Sequence, residues 1–308
     1  MLTIRDDRQL RSLTGVSDEV LAKLEAEFSK VYQRHQEEAY EEGLKKGTRQ
    51  RKAGGGRKGV LATMEAKLCL ILYYLKTYPS FDVLAEKVQL SRSNAHGQVH
   101  KLMPLLSATL AALGYLPARR FETLEDFKTV CEGINSVLID VTERERSRPT
   151  HKAEQKDYYS GKQGYHTIKN TVMASPEKVI LFLGQSFAGR HHDYAMFKQE
   201  FPAEHNWFET IKAQVDLGYQ GIKTDYPDAV TDIPFKKPRK SKKNPNPHLS
   251  DEQKDYNRAV SRARIYVEHA IGGMKRFNIL VQRFRNRIQG FVDDVIAICA
   301  GLWNALLA

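Results

Sequence analysis

An aspartate inside an apolar strand is a costly residue, and this sequence carries one: Asp140, in the run VLIDV. A carboxylate survives there only where a cation, a hydrogen-bond network or a metal offsets its charge. A second, Asp216, ends another strand-like run, TIKAQVD, two residues before Gly218. If the two strands are neighbours, the carboxylates face each other across one end of a sheet. Without a cation they repel, and a pKa rises. A divalent metal favours oxygen ligands and removes the conflict. Further on, Arg264, Glu268 and Lys275 stand at i, i+4 and i+11 and share one face of a helix with Asn257 and Ser261. Such a mixed polar face is ordinarily a solvated one, and spacing alone leaves that open. His191, His192 and Asp193 are a further concentration of potential ligands, but adjacent histidines point in different directions. Asp193 is expected to cap the helix that begins there.

These residues need elements to hold them. From residue 135 the sequence reads as strands over NSVLIDVTE, GYHTIKNTVMAS and EKVILFLGQS, then a helix from about Asp193. A strand ending at Asp216, a short helix, a strand over TDIPF and a long helix over about 250–276 follow. Ser250 and Gln253 form a capping box at the start of that helix. An apolar helix, FVDDVIAICAGLWNALL, closes the chain. This alternation predicts an α/β domain, a mixed sheet flanked by helices, over 135–308. Ahead of it, 1–46 reads as a helical segment with Ser17 as N-cap of a helix over 17–42. Within 47–115, a helix closed by Pro79, a short helix FDVLAEKV, a turn at Leu90 and Ser91, and a helix RSNAHGQVHKLM give a helix-turn-helix layout. Its second helix offers Arg92, Ser93, Asn94 and His96 to base edges. Gln89 stands at the turn, where glycine is usual.

The net charge of +11 over 308 residues points to a polyanionic partner, nucleic acid above all. The lysines cluster, in GLKKGTRQRKAGGGRKG (43–59) and in KKPRKSKK (236–243), where Lys236, Lys237, Arg239, Lys240, Lys242 and Lys243 are interrupted by Pro238. Cys69, Cys131 and Cys299 are isolated among apolar neighbours, so neither a disulfide framework nor a zinc set is expected. No apolar run is long enough to span a membrane, and MLTIRDDRQL lacks the apolar core of a signal peptide, so a cytoplasmic, nucleoid-associated protein is expected. Basic loops and the lack of a histidine-rich ligand set argue against a small-molecule metallohydrolase.

From Asp140 onward the sequence resembles insertion-sequence transposases of the DDE superfamily, in the insertion-sequence-five group. The resemblance is carried by LIDVTE, YYSGKQGYHTIK, GRHHD, VDLGYQG, and NRAVSRARIYVEHAIGGMKRFNIL followed by RFRNR. The group's signature of tyrosine, two residues, arginine, three residues, glutamate, six residues, lysine is matched by Arg264, Glu268 and Lys275, with Ser261 in place of the tyrosine. The resemblance implies a ribonuclease-H-like catalytic domain in which Asp140, Asp216 and Glu268 bind two Mg²⁺ ions, Mn²⁺ being able to substitute. It implies cleavage of double-stranded DNA at terminal inverted repeats and joining of 3′ ends to target DNA by in-line transfer. A homodimer or higher assembly on DNA goes with that activity. Arg264 and Lys275 would hold phosphates or balance charge near the metals; Lys162, His166, Lys169, Arg283, Arg285 and Arg287 would lie along the DNA backbone. A regulator that has lost cutting, and a nuclease that cuts without joining, are the alternative readings.

Overall fold

The computed structural model describes residues 4–49, 59–242, 244–288 and 290–308. Most of the basic glycine-rich segment, and Lys243, lie outside these residues. The chain divides into two compact units: Met1–Leu116 with Met274–Gln282 and Asn286–Ala308, and Pro117–Gly273 with Arg283–Arg285.

The first unit is helical. It begins with α1 (Asp7–Thr14), which the sequence reading missed, and α2 (Asp18–Lys45), capped by the Ser17 hydroxyl as expected. Then come α3 (Met64–Thr77), α4 (Phe81–Val88) and α5 (Arg92–Ala112). Leu84, Ala85, Val88, Ala95, Val99 and Leu102 are buried and lock α4 to α5. Ser91 caps α5 by accepting from Asn94 N (3.2 Å), so the layout is the expected helix-turn-helix. The turn is closed without glycine: Gln89 itself takes the left-handed conformation (φ 56°, ψ 43°), and Leu90 N donates to Ala85 O (2.9 Å). That conformation costs a residue with a Cβ about 1 kcal/mol. Gln89→Gly is therefore expected to raise the melting temperature by about 2 °C, net of glycine's greater freedom in the unfolded chain. An unchanged or lower melting temperature in a calorimetric scan would show that Gln89 is not strained.

The second unit holds α6 (Leu124–Val130), β1 (Ser136–Glu145), α7 (Lys152–Tyr158), β2 (Tyr159–Ser160), β3 (Tyr165–Ala174), β4 (Ile180–Leu183) and β5 (Phe187–Ala188). It continues with α8 (Asp193–Glu200), β6 (Lys212–Gln214), α9 (Ile222–Asp225), β7 (Thr231–Asp232) and α10 (Asp251–Met274). The sheet runs β2-β3-β1-β6-β7, with β4 and β5 also pairing with β3. β1 is antiparallel to β3 and parallel to β6, which is parallel to β7. This mixed sheet with its helices is the ribonuclease-H-like architecture expected. Val137, Ile139 and Met173 enter an aromatic core with Phe127, Phe197 and Phe208. α10 opens with the expected capping box: Gln253 N donates to Ser250 Oγ (3.2 Å), and Ser250 N donates to Gln253 Oε1 (3.1 Å).

The last helix is α11 (Phe291–Ala305). It groups with the helical unit and packs against α5. The reason is its surface: Val295, Ile296, Ile298, Cys299 and Leu302 are all buried, more than a one-sided contact would cover. Residues 117–134, left unassigned by the sequence, join the sheet unit, with Ala118 bridging to Phe182. No helix among the described residues is long and apolar enough to cross a membrane.

Candidate active site

The register of the parallel pair β1–β6 puts the two aspartates side by side. Leu138 pairs with Gln214, and both chains continue for two residues, to Asp140 and to Asp216. The pleat that sends Val137 and Ile139 into the aromatic core turns Asp140 to the other side of the sheet. Asp216 lies just past the end of β6, still extended (φ −91°, ψ 176°), and its carboxylate accepts from Gly218 N. The expected juxtaposition of carboxylates at one sheet end is therefore present.

A cation stands between them. Arg264, from α10, places Nη2 3.1 Å from Asp140 Oδ2 and 3.8 Å from Asp216 Oδ2. Its side chain is only 17% exposed. Burial pushes the Asp140 pKa up; the Val141 N–H and the Arg264 guanidinium pull it back, and Asp216 and Asp193 add to the rise. Val260, Val267, Ala270 and Met274 form a narrow buried seam along α10, and Arg264 flanks it. Glu268, one turn on, is exposed beside Ser261 and Ile265. Among the described residues no three of His, Cys, Asp or Glu are gathered closely enough to hold a metal ion in this conformation.

The donor chemistry still fits a divalent ion. Asp140 and Asp216 offer hard oxygen ligands from rigid strand ends, and both already turn to one cation. Tyr219, a residue the sequence reading did not single out, has its hydroxyl pKa raised by burial first and then by the charges of Asp140, Asp193, Asp216 and Glu200. Tyr219 is 1% exposed, and this hydroxyl has no hydrogen-bond partner. The signal that could have found it is its place in VDLGYQG, three residues after Asp216.

Asp193 corrects an expectation. It is the first residue of α8, His192 holds the cap position, and no side chain caps the helix. The Asp193 carboxylate instead accepts from Lys169 Nζ (3.0 Å). Lys169, expected along the DNA backbone, thus has its ammonium turned inward, 14% exposed. His166 pairs across to Tyr159 at the edge of β3, and Lys162 is exposed in the preceding turn. Arg283 forms an ion pair with Glu145, and Arg285 and Arg287 are exposed after it. Lys275 lies beyond the end of α10, in the helical unit. Arg92, Ser93, Asn94 and His96 are exposed on the first turns of α5, with His96 edge-on to Phe81 (4.9 Å). Lys236, Lys237, Arg239, Lys240 and Lys242 are all exposed.

Comparison with known proteins identifies the family of the chain. The family model described as DDE superfamily endonuclease matches residues 139–304. The model described as helix-turn-helix of DDE superfamily endonuclease matches residues 60–112. A probable transposase for insertion sequence element IS702 from Microchaete diplosiphon is 32% identical over 250 residues, covering 80% of this chain and 81% of that protein. No solved structure matches the chain.

Proposed function

The chain belongs to the DDE superfamily of endonucleases, as an insertion-sequence transposase, and we propose that it cuts DNA at the ends of its element and joins the freed 3′ ends to target DNA, with Asp140, Asp216 and Glu268 as its metal-holding triad. The observation that carries this reading is the pair Asp140–Asp216 at adjacent strand ends, bridged by the single guanidinium of Arg264. A site that holds two carboxylates around one cation is arranged for positive charge. The spacing of Arg264, Glu268 and Lys275 favours the insertion-sequence-five group within the superfamily.

Each residue then has a task. Asp140 and Asp216, at adjacent strand ends, would hold Mg²⁺. Glu268 lies one helical turn from Arg264 on α10 and would be the third ligand. Arg264, released from its two carboxylates, turns to a phosphate of the bound strand, a role its forked donors suit. When bound, the metal ions supply a stronger nucleophile at neutral pH and a Lewis acid at the scissile phosphate. The first turns of α5 present Arg92, Ser93 and Asn94 to base edges at the element ends. Joining two ends needs a site for each, which calls for two or more copies of the chain on DNA; such work places the protein with the nucleoid.

The experiment is incubation of the full chain with a duplex carrying the flanking ends of its own element. Nicked and joined products are expected with Mg²⁺ or Mn²⁺ and none with a chelator. Cutting that persists in the chelator removes the metal from the reaction; nicks without joined products reduce the protein to a nuclease.

A further inference from the structure

The acids of α10 gather in its first turns, at Asp251, Glu252 and Asp255. From Tyr256 to Met274 the helix carries Arg258, Arg262 and Arg264 against a single acid, Glu268. Arg264 turns in to Asp140. The others turn out: Asn257, Arg258, Ser261, Arg262, Ile265 and Glu268 line one shallow depression on the side of the helix away from Val260 and Val267. A solvated helix face ordinarily balances its charges at i, i+4, whereas Arg258 and Arg262 stand at that spacing with like charge, which costs helix stability. Arg258 is paired with Asp255, and Arg262 forms no ion pair among the described residues. Both ends of the depression carry something to connect. At one end, Asn257 exchanges two hydrogen bonds with the backbone of Phe235, the root of the exposed basic segment from Lys236 to Lys242. At the other is the exposed Glu268, one turn beyond Arg264. The eleven positions from Asn257 to Glu268 make about 16 Å of helix. That is the rise of about five nucleotides on one strand of a duplex.

We propose that this face of α10 is the track along which one DNA strand runs from the basic segment to the carboxylates, with Arg262 gripping a phosphate two or three nucleotides from the cut. The inference rests on the reading of Asp140, Asp216 and Glu268 as the cutting site. Arg262 stands six positions before Glu268, about 9 Å along the helix, and that length sets the spacing from the cut. A phosphate between Arg258 and Arg262 also relieves their mutual repulsion. Arg258 contributes less, because Asp255 already engages it. Ile265, 42% exposed within the same depression, offers an apolar surface to the sugars between phosphates. Contacts of this kind fix the position of the strand and carry no base preference.

The test uses the full-length chain and a duplex carrying the end of its own element. The cut is first mapped with wild type and Mg²⁺. Binding is then measured in a chelator, on duplexes in which one phosphate of the cut strand at a time is replaced by a neutral methylphosphonate. Arg262→Gln is expected to weaken binding to the unmodified duplex about eightfold at 0.1 M salt and to flatten the salt slope by about 0.9, the share of one phosphate. On the duplex neutralised two or three nucleotides to one side of the cut, wild type should lose about as much and Arg262→Gln should lose nothing further. Arg262→Lys, which keeps the charge, should bind within about threefold of wild type. The residue is exposed, so thermal melts should not move. If Arg262→Gln binds as wild type, or if its loss is the same on every neutralised duplex, the face holds no particular phosphate and the proposal is overturned. If wild type cuts at no fixed position, the reading of the carboxylates has failed and takes this inference with it.

Discussion

Asp140→Asn, Asp216→Asn and Glu268→Gln are each expected to lower DNA cleavage on the order of 10³-fold or more, a barrier increase of about 4 kcal/mol, while duplex binding changes little. The three variants are not equivalent tests. Asp140 is the closer partner of the buried Arg264, so its amide removes a charge that a nearly enclosed guanidinium uses, and some stability goes with it. Asp216→Asn leaves Arg264 its 3.1 Å partner and should fold better. Glu268 is exposed, so Glu268→Gln should fold as wild type, and its loss of cleavage can be assigned to chemistry. Single-turnover cleavage on a gel, beside a binding isotherm on the same duplex, separates the two effects. If Glu268→Gln cuts at near wild-type rate, the third ligand is not Glu268. Asp193, whose charge already reaches Asp140, becomes the residue to test next.

The site divides into what strand patterns disclose and what only the folded chain discloses. That Asp140 and Asp216 meet was legible, because each ends or interrupts an apolar strand and a parallel pair at equal depth brings such residues together. The polar stripe of α10 was legible as a stripe, but not its orientation: Arg264 turns in, and Glu268 turns out. Helical spacing places residues on a face and says nothing of which edge of that face meets the sheet. Asp193 was misread by a single residue. Capping depends on which residue keeps extended backbone angles, and here His192 does (φ −74°, ψ 138°). The Lys169–Asp193 contact spans 24 residues between a strand and a helix start, so no local pattern contains it. The family resemblance supplied Glu268, and supplied no expectation for Tyr219.

The helical unit shows the same division. Ser17 and Ser91 are caps readable from sequence, each accepting from the backbone N–H three residues on. Gln89 showed only as a departure from the usual glycine, and the structure resolves it by putting that side chain in the left-handed region. The placement of α11 was not readable, since an apolar helix can cover any apolar face and chain order does not say which. It also changes how end recognition should be tested. Deleting residues 1–113 would strip α5 from α11 and expose Phe291, Val295 and Leu302, confounding binding with folding. Substitutions at the exposed Arg92 and Asn94 avoid that.

Replacing Lys236, Lys237, Arg239, Lys240 and Lys242 by glutamine is expected to weaken binding on all duplexes by on the order of 10²-fold at moderate salt. The five are exposed on a segment whose root is fixed: Phe235 N donates to Asn257 Oδ1 (2.7 Å), and Asn257 Nδ2 returns a bond to Phe235 O (3.0 Å). The anchor is α10, the helix that also carries Arg264 and Glu268, so the charges leave the fold within the same unit as the carboxylates. Pro238, Pro245 and Pro247 prevent helix formation, and an extended chain spreads its cations along a phosphate backbone instead of stacking them on one face. Arg283 offers a contrast, since its guanidinium is engaged by Glu145 and gains less from a phosphate. Each phosphate neutralised contributes about 0.9 to the slope of log affinity against log salt, so full engagement of five residues would flatten that slope by roughly 4 to 5. Cleavage per bound complex should be nearly unchanged at saturating protein, because these residues hold the strand and not the reacting phosphate. Binding isotherms at several salt concentrations, on element-end and unrelated duplexes, measure both quantities. If affinity and slope both stay at wild-type values, the loop is a tether between β7 and α10, and the DNA runs elsewhere on the protein.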